Sequence, residues 1–310
     1  TLPAMRRLAL ASLISLPILA CSACSPQLPA PPPKQERVPP TPADPATGPS
    51  ASDDQPVELA AIAPAGEHPF SVLDLLEVDR VQTPALSPDG KLIAYVLRET
   101  DMQANLARTS LWVVDTEGNP PMRLDAHPKG LGSPTWSPDG KSIYFMSKRS
   151  GSMQVWRMAF EGRAAGALTQ ISDLPVAVAN MKLAPDGATL VVSAELFPEC
   201  ETLECSVERL RALEADPATG TRYDRLFVRH WDTWGDGRRS MLLALDNRPG
   251  AKQAKILTRA LDADAPSKPF GGAEEFTFTP DSKQLVFTAR DAAGGSGEPV
   301  STNFDLFVVP

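Results

Sequence analysis

Three histidines, four cysteines and 6% aromatic residues are all that this 310-residue chain carries of the side chains most used for metal binding, redox chemistry and stacking. The histidines stand apart: His68, His127 beside Pro128, and His230. Around Cys200 and Cys205 no second cysteine pair or neighbouring histidine completes a metal site, so neither a metal nor another cofactor is expected. Basic clusters are also lacking. With a formal net charge of -8 and a pI near 5.0, the chain has little with which to neutralise phosphates, which argues against nucleic acid as a partner. The acidity reads as ordinary solubility. Long apolar runs are missing too: the stretch from Leu8 to Leu19 is too short to cross a bilayer. What is plentiful is apolar side chain overall, 42% of residues, ample for one large or two ordinary domains.

A short phrase recurs. Ser87-Pro88-Asp89-Gly90-Lys91 returns as Ser137-Pro138-Asp139-Gly140-Lys141, and more loosely as Ala184-Pro185-Asp186-Gly187-Ala188 and Thr279-Pro280-Asp281-Ser282-Lys283. Proline presets φ for the second position of a tight turn, Asp bonds back to the backbone, and Gly accepts a positive φ, so each copy should join two strands as a hairpin. Apolar runs flank the turns, as in Leu92 to Val96, Ile143 to Met146 and Leu285 to Thr288. The Asp positions are 50, 47 and 95 residues apart. Four antiparallel strands per period of 40 to 50 residues is the grammar of a β-propeller blade.

The expected fold is therefore all-β, a partial propeller over residues 70 to 310. The first unit takes strands at Thr83 to Leu86, Leu92 to Leu97, Ser110 to Val114 and around Met122 to Leu124. The second takes Ser133 to Trp136, Ser142 to Ser147, Gln154 to Ala159 and Ala167 to Gln170. The third opens with Asn180 to Leu183 and Thr189 to Ala194, is interrupted by an insertion over 196–239, and resumes at Ser240 to Leu245 and Lys255 to Thr258. The fourth gives Glu275 to Thr279, Gln284 to Ala289 and Asp305 to Val309, with its outer strand not supplied by the residues that follow. Known rings close with about four to eight blades, so this arc is expected to be the front part of a longer polypeptide.

Ahead of the propeller, Met5, Arg6-Arg7 and the apolar stretch read as an export signal over 1–24. Ile18-Leu19-Ala20-Cys21 resembles the bacterial lipobox, which makes Cys21 the candidate lipid anchor and Cys24 the second choice. Residues 25–69 hold 13 prolines and few large apolar side chains, the composition of a disordered linker. Extended, such a tether reaches on the order of 140 Å at about 3.1 Å per residue. An envelope location follows, with the membrane met only through the anchor. Phe70 to Val78 is expected to form a short helix or turn leading into the first strand.

In the insertion, Cys200 and Cys205 are expected to form a disulfide, as close cysteines in an exported protein do; a loop this small contributes roughly 2 kcal/mol. Val207, Leu210 and Leu213 sit at helical spacing. Then comes Arg229-His230-Trp231-Asp232-Thr233-Trp234-Gly235-Asp236-Gly237-Arg238-Arg239-Ser240, preceded by Tyr223-Asp224-Arg225-Leu226. This run, with the entry Phe70-Ser71-Val72-Leu73-Asp74-Leu75-Leu76, resembles the propellers of the prolyl oligopeptidase family of serine peptidases, in the branch of dipeptidyl aminopeptidases and acylaminoacyl-peptidase-like enzymes. The likeness covers residues 70 to 310, and Met241 stands where that family often has His.

The resemblance implies a lid over a catalytic cleft, with Ser, Asp and His on an α/β-hydrolase domain that follows the propeller. The Gly-x-Ser-x-Gly elbow of such a domain occurs nowhere in these residues, so no catalytic residue is assigned and the chain by itself is expected to be silent. The implied partner is a peptide substrate whose short N-terminal pieces or blocked residues are released. Glu199, Glu201 and Glu204 are the candidates to hold its free amino group by charge-assisted contacts, against the plainer reading of a solvated acidic loop. For Trp231, Trp234 and Arg229 the plainer reading is rings packed between blades and an Asp232 to Arg pair fixing the turn. An alternative function is a non-catalytic, TolB-like binding propeller of the cell envelope.

Overall fold

The computed structural model describes the backbone of residues 6–8 and residues 63, 66–161, 164–218, 220–224, 226, 228–290 and 301–310. Strand β1 (Arg6–Leu8) comes from the segment read as an export signal. The rest of that segment, including Cys21 and Cys24, and residues 25–62 lie outside the described residues. Helix α1 (Val72–Glu77) carries a capping box: the Ser71 hydroxyl accepts from the Asp74 amide while the Asp74 carboxylate accepts from Ser71. His68, assigned by composition to the linker, lies with Nε2 3.5 Å from the same carboxylate.

Four four-stranded antiparallel sheets follow. The first is β2 (Arg80–Leu86), β3 (Leu92–Asp101), β4 (Leu106–Asp115) and β5 (Met122–Ala126). The second is β6 (Leu131–Trp136), β7 (Ser142–Ser147), β8 (Gln154–Glu161) and β9 (Ala164–Gln170). The third holds β10 (Ala179–Leu183) and β11 (Thr189–Leu196), then passes through α2 (Leu203–Glu214) and the hairpin β12 (Arg229–His230) and β13 (Thr233–Trp234) before β14 (Arg239–Asp246) and β15 (Lys255–Ile256). The fourth takes β16 (Phe276–Phe278), β17 (Leu285–Arg290) and β18 (Phe304–Val309), and β1 occupies its outer place beside β18. Strands β3 and β4 outrun their apolar stretches, because the Arg108 guanidinium grips Asp101 at 2.7 Å and carries the ladder on to Asp101↔Leu106.

Each central strand feeds two cores, since successive side chains point to opposite faces. Ile143 and Phe145 of β7 pack towards the first sheet with Val96, Leu111 and Val113. Tyr144 and Met146, alternating with them, pack towards the third with Leu190, Val192 and Leu243. Val191 and Leu242 then turn to the fourth, against Phe276, Phe287 and Phe307. Burial on both faces is why these strands read as unbroken apolar runs. The sheets thus pack first to second, second to third and third to fourth. Among the described residues no core cluster joins the fourth back to the first.

The repeated turns form as their residues dictate. Gly90, Gly140 and Gly187 have φ of +74°, +70° and +73°, and Ser282 takes the same place at +62°. In the first blade the Asp89 carboxylate accepts from the Ser87 hydroxyl at 2.7 Å and the Lys91 amide at 3.2 Å. Six residues ahead of each of the first three turn aspartates, Thr83, Ser133 and Asn180 also have positive φ, at register shifts in β2, β6 and β10. Such a bulge bends the first strand of each blade and sharpens its twist.

Candidate functional site

Strand direction gives the propeller two unlike ends. The Pro-Asp-Gly turns join first to second strands at one end. The link from β11 to β14, the connector 257–275 and the segment of α1 ahead of β2 must then lie at the other. That second end collects large exposed apolar side chains: Phe70, Val72, Leu75, Trp231, Trp234 and Phe270 are each more than half exposed. The tips of the turns carry Asp89, Lys91, Asp139, Lys141, Asp281 and Lys283 instead.

The insertion starts from a pinned corner. Cys200, buried, is disulfide-bonded to Cys205. The Thr202 hydroxyl caps α2 by accepting from the Cys205 amide at 3.2 Å, and the Ser206 hydroxyl accepts from the Phe197 amide at 3.2 Å. This corner sets which face of α2 turns inward. Leu203 and Ser206 are buried, while Leu213, expected on the inner stripe, is 49% exposed.

The tryptophan segment folds into a hairpin with Arg229 opposite Trp234 and His230 opposite Thr233. Its expected burial between blades is not observed: Trp231 is 77% exposed and Trp234 58%. The hairpin stands off the blades, so its rings pack on neighbours of the insertion instead. Tyr223 stacks on Trp234 with centroids 6.0 Å apart, and the Arg229 guanidinium lies 5.3 Å over the same ring. Trp231 meets Phe270 of the connector edge-on at 6.0 Å. Among the described residues Asp232 is not paired with an Arg and the pair formed is Asp236 to Arg238: Asp232 accepts from the Thr233 hydroxyl at 3.3 Å, and Asp236 accepts from Arg238 Nε at 2.8 Å. Trp231 has φ +52°, a left-handed conformation costing a side-chain-bearing residue roughly 1–2 kcal/mol.

Beneath the hairpin lies an ion network that the sequence reading missed. Asp264, 4% exposed, accepts from the Ser240 amide at 2.6 Å and from Arg239 at 3.0 Å. Lys268 lies 3.3 Å from Asp264, pairs with Glu195, and donates to the Arg238 carbonyl at 3.3 Å. Burial works against the Lys268 charge, but Asp264 and Glu195 outweigh it and hold its pKa above the ordinary lysine value. Burial likewise opposes ionisation of Asp236, yet the Arg238 hydrogen bonds outweigh it and its pKa falls below the usual carboxylate range. The end of β11, the start of β14 and the connector are thereby locked together. Acidic residues at positions 262 and 264, with Arg238-Arg239 across the insertion, were the only trace in the sequence.

Of the acidic candidates, Glu199 pairs with Arg209, and Glu201 lies 3.3 Å from Arg259. Glu204 is exposed in the first turn of α2. They lie around the disulfide corner at the start of α2 but do not converge on a common point. Met241 is buried in the core between the second and third blades. Among the described residues no group of His, Cys, Asp and Glu is arranged to hold a metal ion, and no helix is long and apolar enough to cross a membrane.

Residues 77–208 match the family model of the TolB beta propeller domain. Among characterised relatives, dipeptidyl-peptidase 5 of Porphyromonas gingivalis is 28% identical over 243 residues, which is 78% of this chain and 34% of that protein. Dipeptidyl-peptidase 5 of Porphyromonas endodontalis is 27% identical over 233 residues, 75% of this chain and 32% of its own length. In solved structures, the acylaminoacyl peptidase of Pyrococcus horikoshii superposes with a TM-score of 0.50 at 13% identity, covering 76% of this chain and 32% of that one. That likeness concerns the fold. The chain spans about a third of the length of these relatives. In its blade grammar and in these relatives the chain is similar to the β-propeller portions of the prolyl oligopeptidase family of serine peptidases.

Proposed function

We propose that this chain is the substrate-gating propeller of an exported serine exopeptidase, one that releases short peptides or blocked residues from peptide N-termini. In this reading its catalytic Ser, Asp and His stand on an α/β-hydrolase domain outside these residues. The observation that carries it is the alignment with two dipeptidyl-peptidases over three quarters of this chain but only a third of theirs. The end bearing the insertion and α1 is the face turned towards that domain, with Phe70, Val72 and Leu75 exposed there to meet it. A propeller there restricts entry to chain ends of small peptides. Glu199, Glu201 and Glu204 form an acidic edge for the substrate ammonium, with Arg209 and Arg259 tempering the first two. Cys21 supplies the lipid anchor, and the proline-rich segment holds the enzyme off the membrane of the cell envelope.

The test is labelling of the full-length gene product with a serine-directed fluorophosphonate probe. The reading predicts one labelled serine outside residues 1–310, and an unlabelled, intact product would refute it. A second reading, a TolB-like envelope scaffold, draws on the family match over 77–208. It predicts capture of envelope proteins by the unlabelled product.

A further inference from the structure

We infer that Trp231 and Phe270 form a preorganised platform for a bulky apolar side chain near the free N-terminus of a peptide. The occupant's identity as a substrate rests on the peptidase reading; the platform itself rests on four observations. First, Trp231 is the first central residue of the two-residue hairpin loop, where a primed turn calls for its positive φ (+52°), and this holds the residue out at the tip, 77% exposed. Second, Phe270 arrives from a different segment, is also 77% exposed, and meets Trp231 edge-on with ring centroids 6.0 Å apart. Two unrelated stretches therefore spend their largest exposed rings on one spot.

Third, both rings grow from one rigid root. Lys268, two residues before Phe270, is bound to Glu195, Asp264 and the Arg238 carbonyl, and Arg238 in turn holds Asp236 at the base of the hairpin. Tyr223 and Arg229 packed on Trp234 stiffen the hairpin itself. Binding to rings already in place loses little side-chain entropy. Fourth, size and charge select the occupant. Two aromatic side chains offer at most a few hundred Å², well short of the ~1,000 Å² a stable protein interface buries, so the spot suits one or two peptide side chains and not a second copy of this chain. The exposed Asp232 carboxylate, next to Trp231, favours an unblocked ammonium over an acetylated terminus.

The test compares the full-length product with its Trp231→Ala, Phe270→Ala and Trp231→Gly variants on dipeptidyl coumarin amides whose first residue is Phe or Gly. The Phe reporter should lose about tenfold in kcat/KM through KM, with kcat unchanged, and the Gly reporter less than about twofold. Trp231→Gly should match Trp231→Ala in discrimination without lowering the melting temperature. Equal losses on both reporters, or none, would overturn the platform. If the wild type cleaves neither reporter and takes no serine probe, the peptidase reading fails separately. Binding of the tetrapeptides Phe-Ala-Ala-Ala and Ala-Ala-Ala-Ala to the same proteins then decides: tighter binding of the first, lost on Trp231→Ala, supports the platform, and equal binding overturns it. A dimer that dissociates on Phe270→Ala would also overturn it.

Discussion

The Asp186 amide donates to the Ser282 hydroxyl at 3.0 Å, joining the turns of the third and fourth blades across 96 residues of sequence. The earlier turns also sit side by side: a methyl group built on Gly140 would lie 3.8 Å from Pro88, and one on Gly187 3.9 Å from Pro138. The repeated phrase is thus a row of contacts as well as a set of hairpins, and its chemistry can be titrated.

Hydroxyl donation from Ser87, Ser137 and Thr279, followed by a backbone amide in each case, holds Asp89, Asp139 and Asp281 below their ordinary pKa of 3.8. A carboxylate lowered on folding adds stability above its unfolded value, and that stability is lost as pH falls through the folded one. The urea midpoint should therefore hold steady near neutral pH and drop below about pH 4. In the triple variant Asp89→Asn, Asp139→Asn, Asp281→Asn that acid slope should flatten; an unchanged slope would refute the assignment.

Gly140 holds φ +70°. Gly140→Ala should cost roughly 1–2 kcal/mol in denaturant unfolding. Gly132 has no left-handed φ and nothing within 4 Å of an added methyl, so Gly132→Ala should stay within about 0.5 kcal/mol.

Asp264 is buried against two cations and a backbone amide. Asp264→Ala leaves the buried Ser240 amide without its acceptor and takes the buried partner from Arg239 and Lys268, which keep Asp262 and Glu195, and should destabilise by about 3 kcal/mol. Lys268→Met, which also removes a charge but leaves Asp264 with Arg239, should cost less.

The Cys200–Cys205 bridge closes a short loop. The Cys200→Ser, Cys205→Ser pair should lose about 2 kcal/mol. Amide exchange should quicken in the first turn of α2, with the strands around Leu190 and Leu243 unchanged.

Where the backbone conformation is set by local chemistry, the sequence was readable. Pro, Asp and Gly at fixed offsets mark the turns at Asp89, Asp139 and Asp186, and β7 runs from Ser142 to Ser147 as its apolar pattern requires. The bulges at Thr83, Ser133 and Asn180 were not visible, because three different polar residues take the same left-handed place and nothing in their type demands it. Trp231 and Trp234 misled for another reason. Large rings are ordinarily buried, and only the stand-off of the insertion, fixed by distant Asp264 and Lys268, decides that these are exposed. Phe270 carried no signal at all, since its neighbour Trp231 lies far off in the chain and the two meet only in three dimensions.

The central claim is that this propeller serves an exopeptidase. It is tested most directly by incubating the full-length gene product with an unblocked decapeptide and its N-acetylated twin, and following the fragments by mass spectrometry. The account predicts stepwise release of short N-terminal pieces from the peptides, abolished when the probe-labelled serine is replaced by Ala. Full recovery of both intact decapeptides from a soluble, folded product would contradict it.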